Sequence, residues 1–470
     1  MLALIILHIF FVSFLDKPEK TAPQLSPRAV EQRAKWKIPT DGMDYPVSPS
    51  YMNQLTKLGV KIHHKSRWFN GVTCEMDEKT AAKVAELKFV TSVEMTRMDP
   101  QPTPPPGIKR RIVQTNYPLA DNLTNDQLKL YNLVKLHEAG YEGQGILMAI
   151  CDGGFSNANT LGCFRQKELD LGYYDFTDDS YGFYEAGSCG SHGTACLSTI
   201  SGLLENYHGA ATQAQYVLMR SEETDTESPK EMDNLVAALE KADSLGVNVF
   251  SVSLGYYWFD NSEWDLPKSA LDGKTSRASL AATIAARKGM LVCVAAGNEG
   301  NKDWSLVSIP ADADSILAVG AVSTEGEIAD FSSHGPTADG RMKPEVCAVG
   351  WGTSLINYEG ETFTSNGTSF ATPLIAGLAA SLWSALPDEN AMQIRERIIR
   401  SADRYSHPDD ETYCYGYGIP DAWKAFNDGE GLLLTDDDIE REKPQKIIRG
   451  DQILIIRHGH IYNLAGQMVE

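Results

Sequence analysis

The segment ILMAICDGG, Ile146 to Gly154, decides how the rest of the chain is read. Its unbroken apolar start predicts a strand buried on both faces, as in a parallel sheet covered by helices. Asp152 follows directly, and Gly153 and Gly154 let the chain turn sharply. A carboxylate is thereby displayed at the carboxyl end of a strand, where α/β sheets gather their functional groups. The plainer alternative is a turn-forming aspartate.

Working outward, similar apolar runs recur as YVLM near Val217, VNVFSVS near Val249, MLVCVAA near Val292 and ILAVGAV near Val319. Amphipathic helix patterns separate several of them. One runs from Lys230 to Leu245 and is followed by Gly246; another runs from Ser279 to Lys288 and is followed by Gly289. Both glycines stand where a left-handed terminal residue is wanted. Arg287 and Lys288 in the last turn of the second suit the helix dipole. The alternation predicts an α/β fold, a mostly parallel twisted sheet with helices on both faces.

The proline-rich DPQPTPPPG, Asp99 to Gly107, cannot continue a helix or a central strand and marks a linker. Before it, from about Tyr45 to Met98, lies a small α+β unit: a helix near Tyr51 to Leu58, strands GVKIHHKS and GVTCEM, a helix from Lys79 to Leu87 and the strand VTSVEMT. The opening run of the chain, Leu2 to Leu15, is too short for a comfortable membrane span and suits a secretory signal core or a short anchor. It lacks a preceding Lys or Arg and a small-residue cleavage pattern. Past Asp428 a charged stretch, TDDDIEREKPQK, leads to QILIIRHGHIYNLAGQMVE, which alternates like a hairpin with its turn near His458 and Gly459. The expected division is 1–16 signal or anchor, 17–106 α+β domain and linker, 107–428 main domain, and 429–470 linker and C-terminal hairpin.

A formal charge of −21, from 63 acidic against 42 basic residues in 470, excludes a phosphate-backbone binder, which needs clustered Lys and Arg. The eight cysteines are scattered without paired metal-type spacing, so no zinc site is expected. Cys151, Cys293 and Cys347 read as small buried hydrophobes. Cys163 and Cys189 fall in loop-like sequence and are able to pair only in an oxidising compartment. The acidic SEETDTES, Ser221 to Ser228, reads as a solvated loop, with calcium the alternative occupant and no ligand set to assign.

Three further segments carry chemistry. GSHGTACLSTISG, Gly190 to Gly202, sets His192 at the start of an apolar helix, beside a glycine and at a helix end that disfavours a protonated ring. A neutral, accessible imidazole is what a general base needs; capping or packing is the plainer role. Cys196, one turn on, reads as a packing thiol beneath it. CVAAGNEG, Cys293 to Gly300, projects Asn298 from a strand end, where its amide is able to donate to a developing oxyanion or simply to hold a turn. SNGTSFATPLIAG, Ser365 to Gly377, places Ser369 at the start of a buried helix, as a nucleophile or as an ordinary helix-start hydroxyl.

Together the four segments resemble the subtilisin-like serine proteases. The chain order Asp152, His192, Asn298, Ser369 and each local pattern match: Asp152-Gly153-Gly154, His192-Gly193-Thr194-Ala195, and Gly367-Thr368-Ser369-Phe370-Ala371-Thr372-Pro373. Gly153 replaces the family's hydroxyl residue and Ala195 its second histidine. FSSHGPTADGRMKPEVCAVG, Phe331 to Gly350, matches further family blocks, and the likeness spans about Leu128 to Phe426.

The resemblance implies a serine endopeptidase with Asp152, His192 and Ser369 as catalytic triad and Asn298 in the oxyanion hole. It implies substrate binding by Ser251, Val252, Ser253, Leu254 and Gly255, with Glu299 at the pocket rim as a solvated charge or a weak attractor of basic side chains. Tyr256, Tyr257 and Trp258 either wall the cleft or pack beneath an insertion. No cofactor or metal is required for the chemistry; a structural calcium is compatible with it. SRWFNGVTCEM and LKFVTSVEMT in the α+β unit resemble an inhibitory propeptide whose opening strand is not evident, cut off between about Met98 and Leu128. A permanent accessory domain is the alternative. The implied partners are polypeptide substrates and the chain's own propeptide, with no nucleic acid and no stable membrane span. The implied location is secreted, periplasmic or cell-surface, and the tail resembles a Bacteroidota sorting signal or else caps the main domain. Against this stand a catalytically silent peptide-binding or adhesion module and an esterase using the same residues.

Overall fold

The computed structural model describes residues 6–19, 21–98, 125–164, 170–178, 181–186, 190–406, 412–428, 445–449, 452–457 and 460–463. The linker around Asp99 to Gly107, Cys189 and the charged stretch after Asp428 lie outside them.

The N-terminal unit contains strand β1 (His8–Phe14), helices α1 (Pro27–Trp36) and α2 (Pro49–Lys57), β2 (Lys61–Ser66), β3 (Gly71–Met76), α3 (Glu78–Ala85) and β4 (Val90–Arg97). Its helices start on side-chain caps: Ser26 accepts from Ala29 N, Ser48 from Tyr51 N and Asp77 from Thr80 N. The strands form a four-stranded sheet in the order β2-β3-β1-β4, with β1 antiparallel to both neighbours and Val12 opposite Val72 and Val93.

Residues 8–14 of the apolar N-terminal run form a strand of this sheet. They supply the opening strand that the sequence alone did not reveal. Phe10, Val12 and Phe14 enter the core shared with Leu55, Val72 and Val84. On the opposite face Phe11 is buried under the Arg277 guanidinium, 4.2 Å from its ring centroid. A strand covered on both faces reads as one continuous apolar run, which is why it resembles a membrane-facing segment.

The main sheet is built from β5 (Leu147–Asp152), β6 (Asp170–Asp175), β7 (Gln215–Arg220), β8 (Val249–Val252), β9 (Leu291–Ala295), β10 (Leu317–Val322) and β11 (Val346–Val349). These seven strands lie in the order β11-β10-β9-β8-β5-β7-β6, every pairing parallel. The five expected strands form its centre, and β6 and β11 are additions at the two edges.

Side chains alternate between two cores. Met148 and Ile150 pack with helices α4 (Gly190–Ser201) and α7 (Thr368–Ala385) on one face. Leu147, Ala149 and Cys151 pack with α5 (Pro229–Leu245) and α6 (Arg277–Arg287) on the other. Gly246 ends α5 in the left-handed conformation, φ 77°, its N–H reaching Ala242 O and Asp243 O, as predicted.

The N-terminal unit lies across α5 and α6. Arg33 bonds both oxygens of Asp243 at 2.8 Å, Ser66 Oγ donates to Glu240 at 2.6 Å, and Trp68 joins the core beneath α5.

Residues 427–470 form a separate unit. Within it, β12 (Gln445–Arg449), β13 (Gln452–Arg457) and β14 (His460–Asn463) make a three-stranded antiparallel sheet. Arg457 pairs with His460; the expected turn at 458–459 lies outside the described residues, and β12 is a strand beyond the expected hairpin.

Candidate active site

Asp152 ends β5 and is 1% exposed. Its Oδ1 accepts the N–H of Gly153 at 2.8 Å, and Gly154, at φ 118°, turns the chain away. His192 lies in the first turn of α4. Its Nδ1 stands 2.8 and 3.0 Å from the two oxygens of Asp152. An ionised carboxylate only accepts, so Nδ1 carries the hydrogen and Nε2 keeps a basic lone pair.

Gly193 makes this approach possible. A Cβ there would sit 2.1 Å from Gly154 O and 3.0 Å from Asp152 Cβ. Burial lowers the basicity of His192, but the Asp152 carboxylate, through its charge and its hydrogen bond to the ring, outweighs burial and holds the pKa well above 6.5. The helix end disfavours a protonated ring, while the carboxylate, much closer than the summed helix partial charge, favours one.

Cys196 lies beneath the ring, Sγ 3.8 Å from Nδ1 and 4.0 Å from Nε2, and also reaches Ser369 O at 3.3 Å. It is buried, and burial keeps the thiol protonated. It is a packing thiol that ties the two helix starts together.

Ser369 is the second residue of α7, with its neighbour's ring, Phe370, 5.6 Å from the His192 ring. In this rotamer Ser369 Oγ donates to Ser253 O at 3.3 Å, while Ser253 Oγ donates to Ser369 O at 2.7 Å. Asn298 follows β9 and Gly297, which has φ 114°. Its Oδ1 accepts from Thr368 N at 2.9 Å and from Thr368 Oγ1 at 3.1 Å. Two donors on that atom identify it as the oxygen, and the amide nitrogen takes the other side, next to the N-terminus of α7. The Thr368 hydroxyl is itself placed by Gly297 N–H at 3.1 Å. This clamp was not foreseen; Thr368 sits in the motif without any sequence signal for its partner.

Of the expected substrate-binding residues, Ser251 and Val252 are paired on both sides, with Ile150 and Cys151 of β5 and with Cys293 and Val294 of β9. Their backbone groups belong to the sheet, so they cannot receive a further strand. Residues 253–255 run past the last pairing, where Ser253 exchanges bonds with Ser369. Glu299 is not a solvated rim charge: it is 16% exposed and held by Lys302 at 2.9 Å. Tyr256 is fully buried, whereas Tyr257 stacks on Trp304 with centroids 4.6 Å apart. Burial and the Glu299 carboxylate raise the Tyr257 pKa above the usual phenol range.

The acidic stretch after β7 also departs from the solvated reading. Glu222 and Glu231 are buried and Glu227 is half-buried, each with an oxygen within 4.8 Å of the others. Glu222 accepts from Tyr256 Oη at 2.5 Å and Glu231 from Glu223 N at 2.9 Å. No disulfide occurs among the described residues, where Cys163 is buried and free.

A buried carboxylate orienting an imidazole, a serine at a helix start and an anchored amide define a site of serine-hydrolase type at the carboxyl ends of a parallel sheet. The subtilase family model matches residues 143–418, and the model of the Bacteroidota peptidase S8 propeptide domain matches residues 9–108. The chain belongs to the subtilase family and carries its N-terminal propeptide domain. It is 27% identical to subtilisin E of Bacillus subtilis over 372 residues, 78% of this chain and 83% of that protein. It is 29% identical to subtilisin of Bacillus pumilus over 289 residues, 60% of this chain and 92% of that one. The crystal structure of MycP1 from Mycobacterium smegmatis shares the fold at 21% identity and a TM-score of 0.52, covering 69% of this chain and 90% of that one. The protein is a serine endopeptidase.

Proposed function

We propose that the chain hydrolyses peptide bonds through an acyl-enzyme, with Ser369 as nucleophile, His192 as general base and Asp152 as its orienting acid. Rotation of the Ser369 side chain away from Ser253 O turns Oγ toward His192 Nε2, the ring nitrogen left basic by the Asp152 contact. His192 takes the hydroxyl proton as Oγ attacks the scissile carbonyl, then gives it to the leaving amine. Asp152 stabilises the imidazolium. Asn298 Nδ2 and the Ser369 N–H, at the positive end of α7, hold the oxyanion. Residues 253–255 bind extended substrate by strand addition.

The observation that carries this reading is the His192 Nδ1 contact with both Asp152 oxygens. No step runs through a metal; a structural calcium, where bound, would take oxygens from Glu222, Glu227 and Glu231, a donor type that suits it.

The N-terminal unit makes the chain a zymogen, cut by its own active site between about Met98 and Leu128. Secretion or display at the cell surface rests on kinship with the subtilisins, since β1 occupies the run that suggested a signal. Among the described residues no helix is long and apolar enough to cross a membrane.

The test is a fluorophosphonate probe together with intact-mass analysis of wild type and Ser369→Ala. Labelling lost in the variant, with precursor persisting only there, is the expected result. Identical trimming of both forms refutes self-cleavage. Processed protein that takes no label is a binding module, and turnover of esters without peptides marks an esterase.

A further inference from the structure

Beyond the reacting atoms, the two chain ends that leave the sheet beside them enclose a narrow gap. One is residues 253–255 after β8, and the other is residues 296–298 after β9. Gly255 and Gly297 face each other across it, since a Cβ built on either points at one atom: Ser308 Oγ would lie 2.1 Å from the first and 3.2 Å from the second. The segment carrying Ser308 is bonded to both walls. Ser308 N donates to Ala296 O at 3.0 Å, while Ile309 exchanges backbone bonds with Tyr256 at 3.0 and 2.8 Å. It therefore runs across the base of the gap as its floor.

Ser308 is 4% exposed, with its hydroxyl turned toward Ala296 O at 3.5 Å. Behind Gly297 lies a second hydroxyl, Ser333 Oγ, which accepts from Glu299 N at 3.0 Å.

On the proposed catalytic reading, the carbonyl under attack lies between Ser369 Oγ and the Asn298 amide. The side chain on the amino side of the scissile bond, with its backbone alongside residues 253–255, then points between Gly255 and Gly297. We infer that Ser308 determines specificity by closing this pocket at short depth, so that it admits small uncharged side chains such as alanine and excludes aromatic and long basic ones. The glycines leave the walls open to a substrate side chain, and the CH2OH of Ser308 fills the space beneath. Glu299, the residue after Asn298, is committed to Lys302 and Tyr257 and offers little to a cationic side chain. A pocket shortened by one or two heavy atoms discriminates by about 10- to 200-fold, the usual range for apolar size selection.

The experiment uses the processed full-length enzyme and peptide anilides that differ only in the residue before the scissile bond: Ala, Phe or Lys. The expected kcat/KM for Ala exceeds that for Phe and for Lys by about tenfold or more. Ser308→Gly shifts the Ala-to-Phe ratio toward Phe by a similar factor, and Ser308→Ala, which removes only the hydroxyl, shifts it part of the way. A wild type that prefers Phe or Lys overturns the inference, as does an unchanged ratio in both variants. Fluorophosphonate labelling run alongside separates the two levels. Labelled enzyme with the wrong preference refutes the pocket alone, whereas no labelling and no hydrolysis of any anilide refutes the protease reading beneath it.

Discussion

The backbone N–H and the hydroxyl of Thr368 both end on the amide oxygen of Asn298, at 2.9 and 3.1 Å. An amide side chain on a glycine-flanked loop would otherwise rotate or flip, presenting an acceptor where a donor is wanted. Catalytic electrostatics works through dipoles fixed before the charge develops, and here the residue preceding the serine fixes one. Asn298→Ala should lower kcat by about 10²- to 10³-fold with little change in KM, as for loss of one oxyanion donor. Thr368→Val keeps the shape and the backbone donor but removes the hydroxyl from both Asn298 and Gly297 N. Its kcat should fall by about tenfold, less than for Asn298→Ala; an equal loss would mean that Thr368 acts in some other way.

The raised pKa of His192 makes a prediction about pH. The base must be neutral to accept a proton, so kcat/KM should climb along a limb whose midpoint lies above 6.5, the ordinary imidazole value. Asp152→Asn removes the charge that outweighs burial. The midpoint should then move down while the rate falls by about 10⁴-fold, since the ring also loses the partner that fixes its tautomer. A limb that stays in place in Asp152→Asn would assign it to another group.

Much of this site is legible in the sequence because glycines and strand ends leave strong marks. Asp152-Gly153-Gly154 gives strand, carboxylate and turn within one short window, and Gly193 announces a close approach whose partner, Gly154 O, only the fold reveals. Legibility fails where one pattern serves two environments. His8–Phe14 is mostly apolar because both its faces are covered, and that is also the pattern of a signal core. SVSLG reads as one unit, yet its first two residues are locked between β5 and β9 while the last three lie beyond the sheet. Glu222 looks solvated in a string of acids, but the chain turns it inward to Tyr256. Partners of that kind are set by tertiary contacts that no local window contains.

The interface between the N-terminal unit and α5 carries an acid-sensitive contact. His64 Nε2 lies 2.8 Å from Phe176 O and 3.0 Å from Asn234 Oδ1, and since Asn234 Nδ2 donates to Ser221 O, both neighbours of the ring nitrogen are acceptors. Burial lowers the His64 pKa below 6.5; the Phe176 and Asn234 bonds oppose this, and the charges of Lys230 and His63 reinforce it. Lys230 itself pairs with Asp178 and Glu223, and His63 lies between Glu75 and Asp178. A lowered pKa means that the docked state refuses a proton the free unit accepts. The contribution of His64 is complete above pH 6.5 and is lost as pH falls from there through the docked value. His192, with its raised pKa, has the opposite sign, so the comparison must be between variants. In the Ser369→Ala precursor, the drop in melting temperature from pH 7.5 to pH 5.5 should shrink when His64→Gln is added. An unchanged drop would remove His64 from the balance.

Gly193 tests the packing beneath the Asp152–His192 pair. A Cβ at this position would overlap Gly154 O, a backbone atom that cannot swing aside as a side chain could, so helix and loop must separate. Gly193→Ala should lower both the folded yield and the rate, and the rate should fall even in the fraction that folds, because His192 moves with the helix away from Asp152. A variant with wild-type kcat would show that the loop relaxes without disturbing the pair.

Val12 distinguishes a structural strand from a disposable leader. It is fully buried at the centre of the four-stranded sheet, opposite Val72 and Val93, and faces a core of Leu55, Val72 and Val84. A carboxylate placed there has no partner and would cost several kcal/mol, enough to unfold a unit of this size. Expressed in the cytoplasm, where no export step intervenes, Val12→Asp should yield little soluble protein and little fluorophosphonate-reactive enzyme, since the unit that rests on α5 and α6 cannot form. The intact mass of the Ser369→Ala precursor should include residues 8–14. A leader segment behaves oppositely on both counts: the mutation leaves cytoplasmic yield unchanged, and the residues are missing from the exported precursor.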